Sequence, residues 1–214
     1  MFKTVAALIV LLVLASLIPF AICDISIGVK KGDWMEYTVS TTGTPPEGHD
    51  ITWAKMEILD VEGTVLHANI TALNVDGDVS SSVRTFNFTS GQVQAWIIIP
   101  ANLSPGETFY DSSIPGNVTI EGEVQKTVAG AVRTVTHASD PYKYKEWDKA
   151  TGMYTETMDN LANYSINAYA TATNMWSPQI LGLNQPVFYT IVAVISVAIV
   201  VVVLVLVVFR RQRK

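Results

Sequence analysis

Between residues 24 and 183, apolar and polar positions alternate with a period of two. No window there keeps an apolar stripe at i, i+3, i+4 and i+7 for three turns. The pattern predicts about ten strands, over 34–41, 51–60, 64–74, 80–90, 93–99, 117–128, 131–138, 142–147, 153–159 and 163–174. Turn chemistry separates them at Asp76-Gly77, Ser90-Gly91, Ala129-Gly130 and Asp148-Lys149-Ala150-Thr151-Gly152. Glycine supplies the positive φ of such hairpins. Links this short imply an antiparallel meander. Residues 100–116, with Pro100, Pro105, Gly106, Pro115 and Gly116, read as one long loop.

The alternation also assigns faces. Leu66, Ala68, Ile70 and Ala72 share one face, opposite His67, Asn69 and Thr71. Phe86 and Phe88 oppose Thr85 and Asn87. Val118, Ile120, Val124 and Val128 oppose Asn117, Thr119, Glu121, Glu123, Gln125 and Thr127. Tyr164, Ile166, Ala168, Ala170 and Ala172 oppose Asn163, Ser165, Asn167, Thr171 and Thr173. Such a sheet has one dry and one wet face, and the dry face must be covered. No helix is predicted in this stretch to supply the cover. The fold class is therefore all-β: an antiparallel meander curling into a sandwich, a barrel or a curved half-barrel.

The two ends follow a different pattern. Residues 187–209 are 23 positions with only Thr190 and Ser196 polar, followed by the basic run 210–214. At about 1.5 Å per residue, a helix of that length covers a hydrocarbon core of about 30 Å. The cations mark the cytoplasmic side, and Phe188 with Tyr189 suit the opposite interface. Residues 1–23 read as a secretory signal: Lys3, an apolar run from Val5 to Ile18, the breaker Pro19, and the small residues Ala21 and Cys23 before a cut at Asp24. Two other readings stay open, an uncleaved anchor helix and a lipidated Cys23. The predicted order is signal peptide 1–23, β ectodomain 24–176, short stalk 177–186, transmembrane helix 187–209 and basic tail 210–214.

Composition agrees. The chain of 214 residues is 49% hydrophobic with only 15% charged, but the excess lies at the ends. All 19 acidic residues lie in 24–183, where nine Lys and Arg leave a net charge of −10. A domain so acidic excludes nucleic acid as a partner. Cys23 is the single cysteine, so the ectodomain has neither disulfide nor thiolate chemistry.

Candidate chemistry is sparse. His49, His67 and His137 have no second histidine at metal-ligand spacing, and no nucleophile elbow, P-loop or dinucleotide fingerprint occurs. Asp76, Asp78 and Ser80 echo calcium spacing but lack the remaining ligands. Glu121 and Glu123 share a solvated face, unlike the separated carboxylates of a glycosidase. No catalytic residue, metal or cofactor is predicted, and the chain reads as a non-enzyme. Five Asn-x-Ser/Thr sequons stand at Asn69, Asn87, Asn102, Asn117 and Asn163, four on the wet face of strands and one in the loop, as glycan acceptors require. Pro105 after Ser104 disfavours Asn102. The aromatics Trp34, Tyr37, Trp53, Phe86, Phe88 and Trp96 read either as core or as the lining of a pocket for a lipid-like ligand.

Four strings, Lys31-Gly32-Asp33-Trp34-x-x-Tyr37, Ile99 to Gly106, Trp147 to Gly152 and Thr173 to Trp176, together resemble archaeal secreted or membrane-anchored surface proteins. The Trp-Asp-Lys-x-Thr-Gly hairpin is also similar to a turn in the lipoprotein-carrier half-barrels. That second resemblance implies a curved antiparallel sheet holding acyl chains. This chain differs from soluble carriers in its own anchor and in lacking a covering helix. The expected function is a single-pass, type I cell-surface glycoprotein of the cell membrane. Its all-β ectodomain would be binding or structural, holding a lipid or meeting another envelope protein. The other readings are an accessory or adhesion subunit of a larger envelope assembly and, last, a surface hydrolase.

Overall fold

The structure is a computed structural model that describes residues 25–46, 49–114 and 116–212. The predicted signal peptide with Cys23 and the last two tail residues lie outside the described residues. Among the described residues there are thirteen strands and one helix: β1 (Trp34–Gly43), β2 (Ile51–Glu62), β3 (Val65–Asn74), β4 (Val79–Asn87), β5 (Thr108–Tyr110), β6 (Asn117–Thr119), β7 (Gly122–Val128), β8 (Ala131–Asp140), β9 (Lys143–Asp148), β10 (Tyr154–Asn160), β11 (Tyr164–Thr173), β12 (Gln179–Ile180), β13 (Leu183–Asn184) and α1 (Gln185–Gln212).

Nine strands form one sheet in the order β4-β3-β2-β1-β11-β10-β9-β8-β7, every pair antiparallel. The meander is as predicted, with one long-range seam where β1 pairs with β11, from Met35 opposite Thr173 to Gly43 opposite Tyr164. β4 and β7 end the sheet without meeting, so it stays open and does not close into a barrel.

The chain covers its own dry face. Residues 88–121 run from β4 at one edge of the sheet to β7 at the other. On the way they send Phe88, Val93, Trp96, Ile98, Ile99, Leu103, Phe109, Val118 and Ile120 into one buried cluster. The sheet meets them with Met35, Tyr37, Met56, Ile58, Leu66, Phe86 and Trp147. Each large apolar side chain buried this way stabilises the fold by roughly 1.5–3 kcal/mol, so an irregular segment replaces the second sheet or helix.

That arrangement corrects three predicted elements. Residues 93–99 are not a strand: Gln94, Ala95 and Trp96 take φ of 40°, 55° and 64°, a left-handed turn that lies on the sheet rather than in it. The predicted loop 100–116 contains β5, which pairs with β6. The predicted strand 117–128 breaks in two. Ile120 donates its amide to Glu107, whereas Glu121 donates to His137, so the chain passes there from the small ribbon to the main sheet. The break also frees Val124 from the dry face, leaving it 47% exposed.

Beyond β11 the predicted stalk contains a short hairpin, β12 pairing with β13. α1 follows at once, 28 residues long with Arg210 and Arg211 in its last turn. It is long and apolar enough to cross a membrane.

Candidate functional site

Two of the six aromatic candidates lie apart from the other four. Tyr37, Phe86, Phe88 and Trp96 belong to the buried cluster under the cover. Trp34 precedes the buried Met35 and faces the opposite side, with the Lys55 ammonium 5.0 Å from its ring. Trp53, paired with Thr38 and Leu73, lies on that side too. Within the cluster the aromatics contact one another. Trp96 stands edge-on to Phe109 at 6.2 Å and tilted to Trp147 at 6.3 Å, and Phe109 meets Trp147 at 5.9 Å. Tyr37 stacks on Tyr154 at 4.0 Å, its hydroxyl donating to the Tyr154 carbonyl. The indole of Trp96 donates to Asp111 at 2.6 Å, and that of Trp147 to the Trp96 carbonyl at 2.8 Å. Phe109 and Asp111 join this cluster from the stretch predicted as a loop, where no alternation marks them, and Trp147 joins it from the hairpin motif.

The four recognisable strings meet as two joints. In the first, Asn174 accepts from the Trp34 amide at 2.9 Å and donates to the Gly32 carbonyl at 2.8 Å, locking the start of β1 to the end of β11. In the second, the cover docks on the Trp147–Gly152 hairpin: Ile99 donates to Gly152 at 3.0 Å, and Asn102 to Lys149 at 2.6 Å. The N-terminal segment joins through the Ala101 amide, 2.8 Å from the Ser26 carbonyl. The approach leaves no room for side chains. A Cβ on Gly152 would lie 2.0 Å from the Ile99 carbonyl oxygen, and one on Gly28 would lie 2.1 Å from that of Ala150.

Arg133 ties the joints together. It donates to both oxygens of the buried Asp148, at 2.7 and 3.1 Å, and its guanidinium lies 4.5 Å from the Trp176 ring centre. Asp148 also accepts from the Thr151 amide and hydroxyl, both at 2.9 Å. Bidentate, charge-assisted pairing with four donors satisfies both carboxylate oxygens at a position with almost no solvent.

A second polar network lies on β7, β9 and β10. Lys126 donates to Glu146 at 2.6 Å and to Glu156 at 2.5 Å, and the Tyr144 hydroxyl donates to Glu146 at 2.7 Å. Burial lowers the affinity of Lys126 for its proton, but the hydrogen bonds and charges of the two glutamates outweigh it and raise the pKa. Burial, reinforced by Glu146, pushes the Tyr144 hydroxyl well up. Burial pulls Lys145 down, with Asp159 at 3.5 Å opposing it. This chemistry holds charges in place between β7, β9 and β10. Among the described residues, no group of three or more His, Cys, Asp or Glu is placed to hold a metal ion.

A cleft of about 270 Å³ opens at the rim of the cover, between Ile25, Phe88, Leu103, Thr108 and Phe109. Phe88 is the one aromatic candidate that reaches it. Of the sequons, Asn102, Asn117 and Asn163 are exposed. Asn69 and Asn87 are half-buried and already bonded, Asn69 to Thr71 and Ser81, and Asn87 to the Ser90 amide.

Neither a protein-family model nor a curated protein matches this chain. Among solved structures the chain is similar to the siderocalin Ex-FABP, which is described as functioning through dual ligand specificities. The match has 10% identity and a TM-score of 0.27, over 66% of this chain and 73% of that one. At that score it carries no argument about a ligand.

Proposed function

We propose that this chain is a single-span membrane protein that displays its β domain outside the cell as a binding module, not as an enzyme. Residues 1–23 direct export and are removed, α1 spans the bilayer, and the basic tail stays inside. The carrying observation is that the hydrogen-bonded β domain runs straight into an apolar helix ending in Arg210 and Arg211. The test is protease shaving of intact cells. Loss of an epitope placed in the 74–78 turn, with survival of one placed after Lys214, supports the topology. The opposite pattern overturns it.

The ligand class in this reading is a small apolar group, one acyl segment or side chain, seated in the rim cleft against Phe88 and Phe109. Its volume lies just below the usual range of about 300–1,000 Å³ for small-molecule sites. Mass spectrometry of extracts from the full-length chain, exchanged into nanodiscs of one synthetic lipid, reads this out. A retained apolar molecule that Thr108→Phe displaces supports it, and an empty wild-type chain removes it.

A second observation favours a role in a larger envelope assembly. β4 ends the sheet with its outer backbone edge open over 79–84, and Val79 and Val83 are 67% and 62% exposed beside it. An unpaired edge whose one charge is Arg84 accepts a further strand. A monomer without co-purifying protein, measured on the detergent-extracted full-length chain, counts against this role.

A further inference from the structure

We infer that the β12–β13 hairpin is a membrane-surface contact that fixes how the β domain stands on the bilayer. This rests on the reading of α1 as the membrane span. The turn of the hairpin is Leu181-Gly182, with φ of 54° and 77°. Two successive positive φ values define a turn that asparagine and glycine favour in water. Leucine there is strained and also 89% exposed, more than any other large apolar residue described, those of α1 included. Leu183 beside it is 38% exposed. Nothing within the domain covers Leu181.

The hairpin is held on both sides. The Gln179 amide donates to the Gly130 carbonyl at 2.7 Å, and the Val132 amide donates to the Gln179 side chain at 3.2 Å. Just before it, the Trp176 indole donates to the Val128 carbonyl at 3.1 Å while Arg133 packs on its ring. Just after it, the Gln185 amide, the first of α1, donates to Pro178 at 3.2 Å. The path from sheet to helix is therefore bonded throughout.

Distance supplies the occupant. Leu181 is four residues before Gln185, so it lies within about 14 Å of the helix start even if extended. The headgroup zone is roughly 5–8 Å deep on each side of the hydrocarbon core. A helix spanning that core puts the turn in or against this zone, where an exposed leucine loses its cost. The Ala129-Gly130 turn then faces the membrane. The β1–β2 and β3–β4 connections, at the opposite end of the sheet, point away from it.

The experiment uses the full-length chain with Cys23→Ser, carrying a single NBD-labelled cysteine at Leu181→Cys, Val197→Cys or Val75→Cys, in phosphatidylcholine nanodiscs. At 197 the emission shifts to the blue, and nitroxides deep in the acyl chains quench it. At 75 it stays water-like and iodide quenches it. At 181 we expect a blue shift, quenching by nitroxides near the headgroups, and iodide access at least threefold below that at 75. Equal iodide access at 181 and 75, with 197 in lipid, overturns this inference alone. A water-like label at 197 overturns the membrane span with it.

Discussion

Replacing three glycines by alanine separates what the joint between cover and hairpin needs from what a turn needs. Gly63 has φ of +58° and open space around its missing Cβ. Alanine there meets only the left-handed penalty of about 1–2 kcal/mol, reduced by roughly 0.4–1 kcal/mol from the stiffer unfolded chain. The net loss is about 1 kcal/mol. Gly28 carries no left-handed strain, but its Cβ would meet the Ala150 carbonyl oxygen at 2.1 Å and the Ala101 Cβ at 2.7 Å. Backbone must move, at the cost of overpacking, about 1–3 kcal/mol. Gly152 combines both: φ of +74° and a Cβ 2.0 Å from the Ile99 carbonyl oxygen. The expected loss is about 3–4 kcal/mol. The assay is guanidinium unfolding of the full-length chain in micelles, followed by tryptophan fluorescence, because Trp96 and Trp147 straddle the joint. The midpoints should fall in the order Gly63→Ala, Gly28→Ala, Gly152→Ala at unchanged m. If Gly152→Ala unfolds within about 0.5 kcal/mol of Gly63→Ala, the close approach of the cover is not what the glycine serves.

Three further outcomes are expected. Arg133→Met leaves the Asp148 carboxylate buried without its strongest partner and should lower stability by about 3 kcal/mol in the same assay, whereas Asp148→Asn with Arg133→Met should recover part of that loss. Burial, aided by neighbouring carboxylates or tyrosine, raises the pKa values of Tyr37, Tyr144 and Tyr154, and the two glutamates raise that of Lys126. Their stabilisation is complete below the unfolded values near 10–10.5 and is lost as pH rises past them. Lys145, lowered by burial, works in the opposite sense as pH approaches 10.5. Thermal melts between pH 7 and 11 should therefore hold to about pH 10 and then fall, and a midpoint rising through pH 11 would contradict the assignment. In a host that glycosylates the chain, glycopeptide mass spectrometry should find Asn117 and Asn163 occupied more than Asn69 and Asn87, whose amides are already bonded; equal occupancy at all four would sever the link to exposure.

The polar networks show why much of the candidate site stayed hidden in the sequence. Glu146 and Asp148 stand in a strand as ordinary polar residues, yet both are buried. Their partners Lys126 and Arg133 are 20 and 15 residues away. Asn174 and Gly32, 142 residues apart, meet because β1 and β11 are neighbours. No spacing rule announces such pairs. The aromatic candidates divide for a similar reason: Tyr37 and Phe86 follow the dry parity of their strands, whereas Trp34 and Trp53 follow the wet one.

What the sequence determined by itself is what local forces decide. Period-two alternation and glycine turns placed most strands of the sheet to within a few residues, since each strand signals its own half-buried face. A long uncharged run ending in cations marked the helix, since a helix apolar on every side carries that composition along its whole length. The tertiary structure decided what covers the dry face. Residues 93–99 alternate well enough to mimic a strand, but Val93, Trp96 and Ile98 are buried because they lie against the sheet, not because they belong to it. Burial against a neighbour distant in sequence leaves no period of its own, so the cover and the joints that hold it appear only once the strands are assembled.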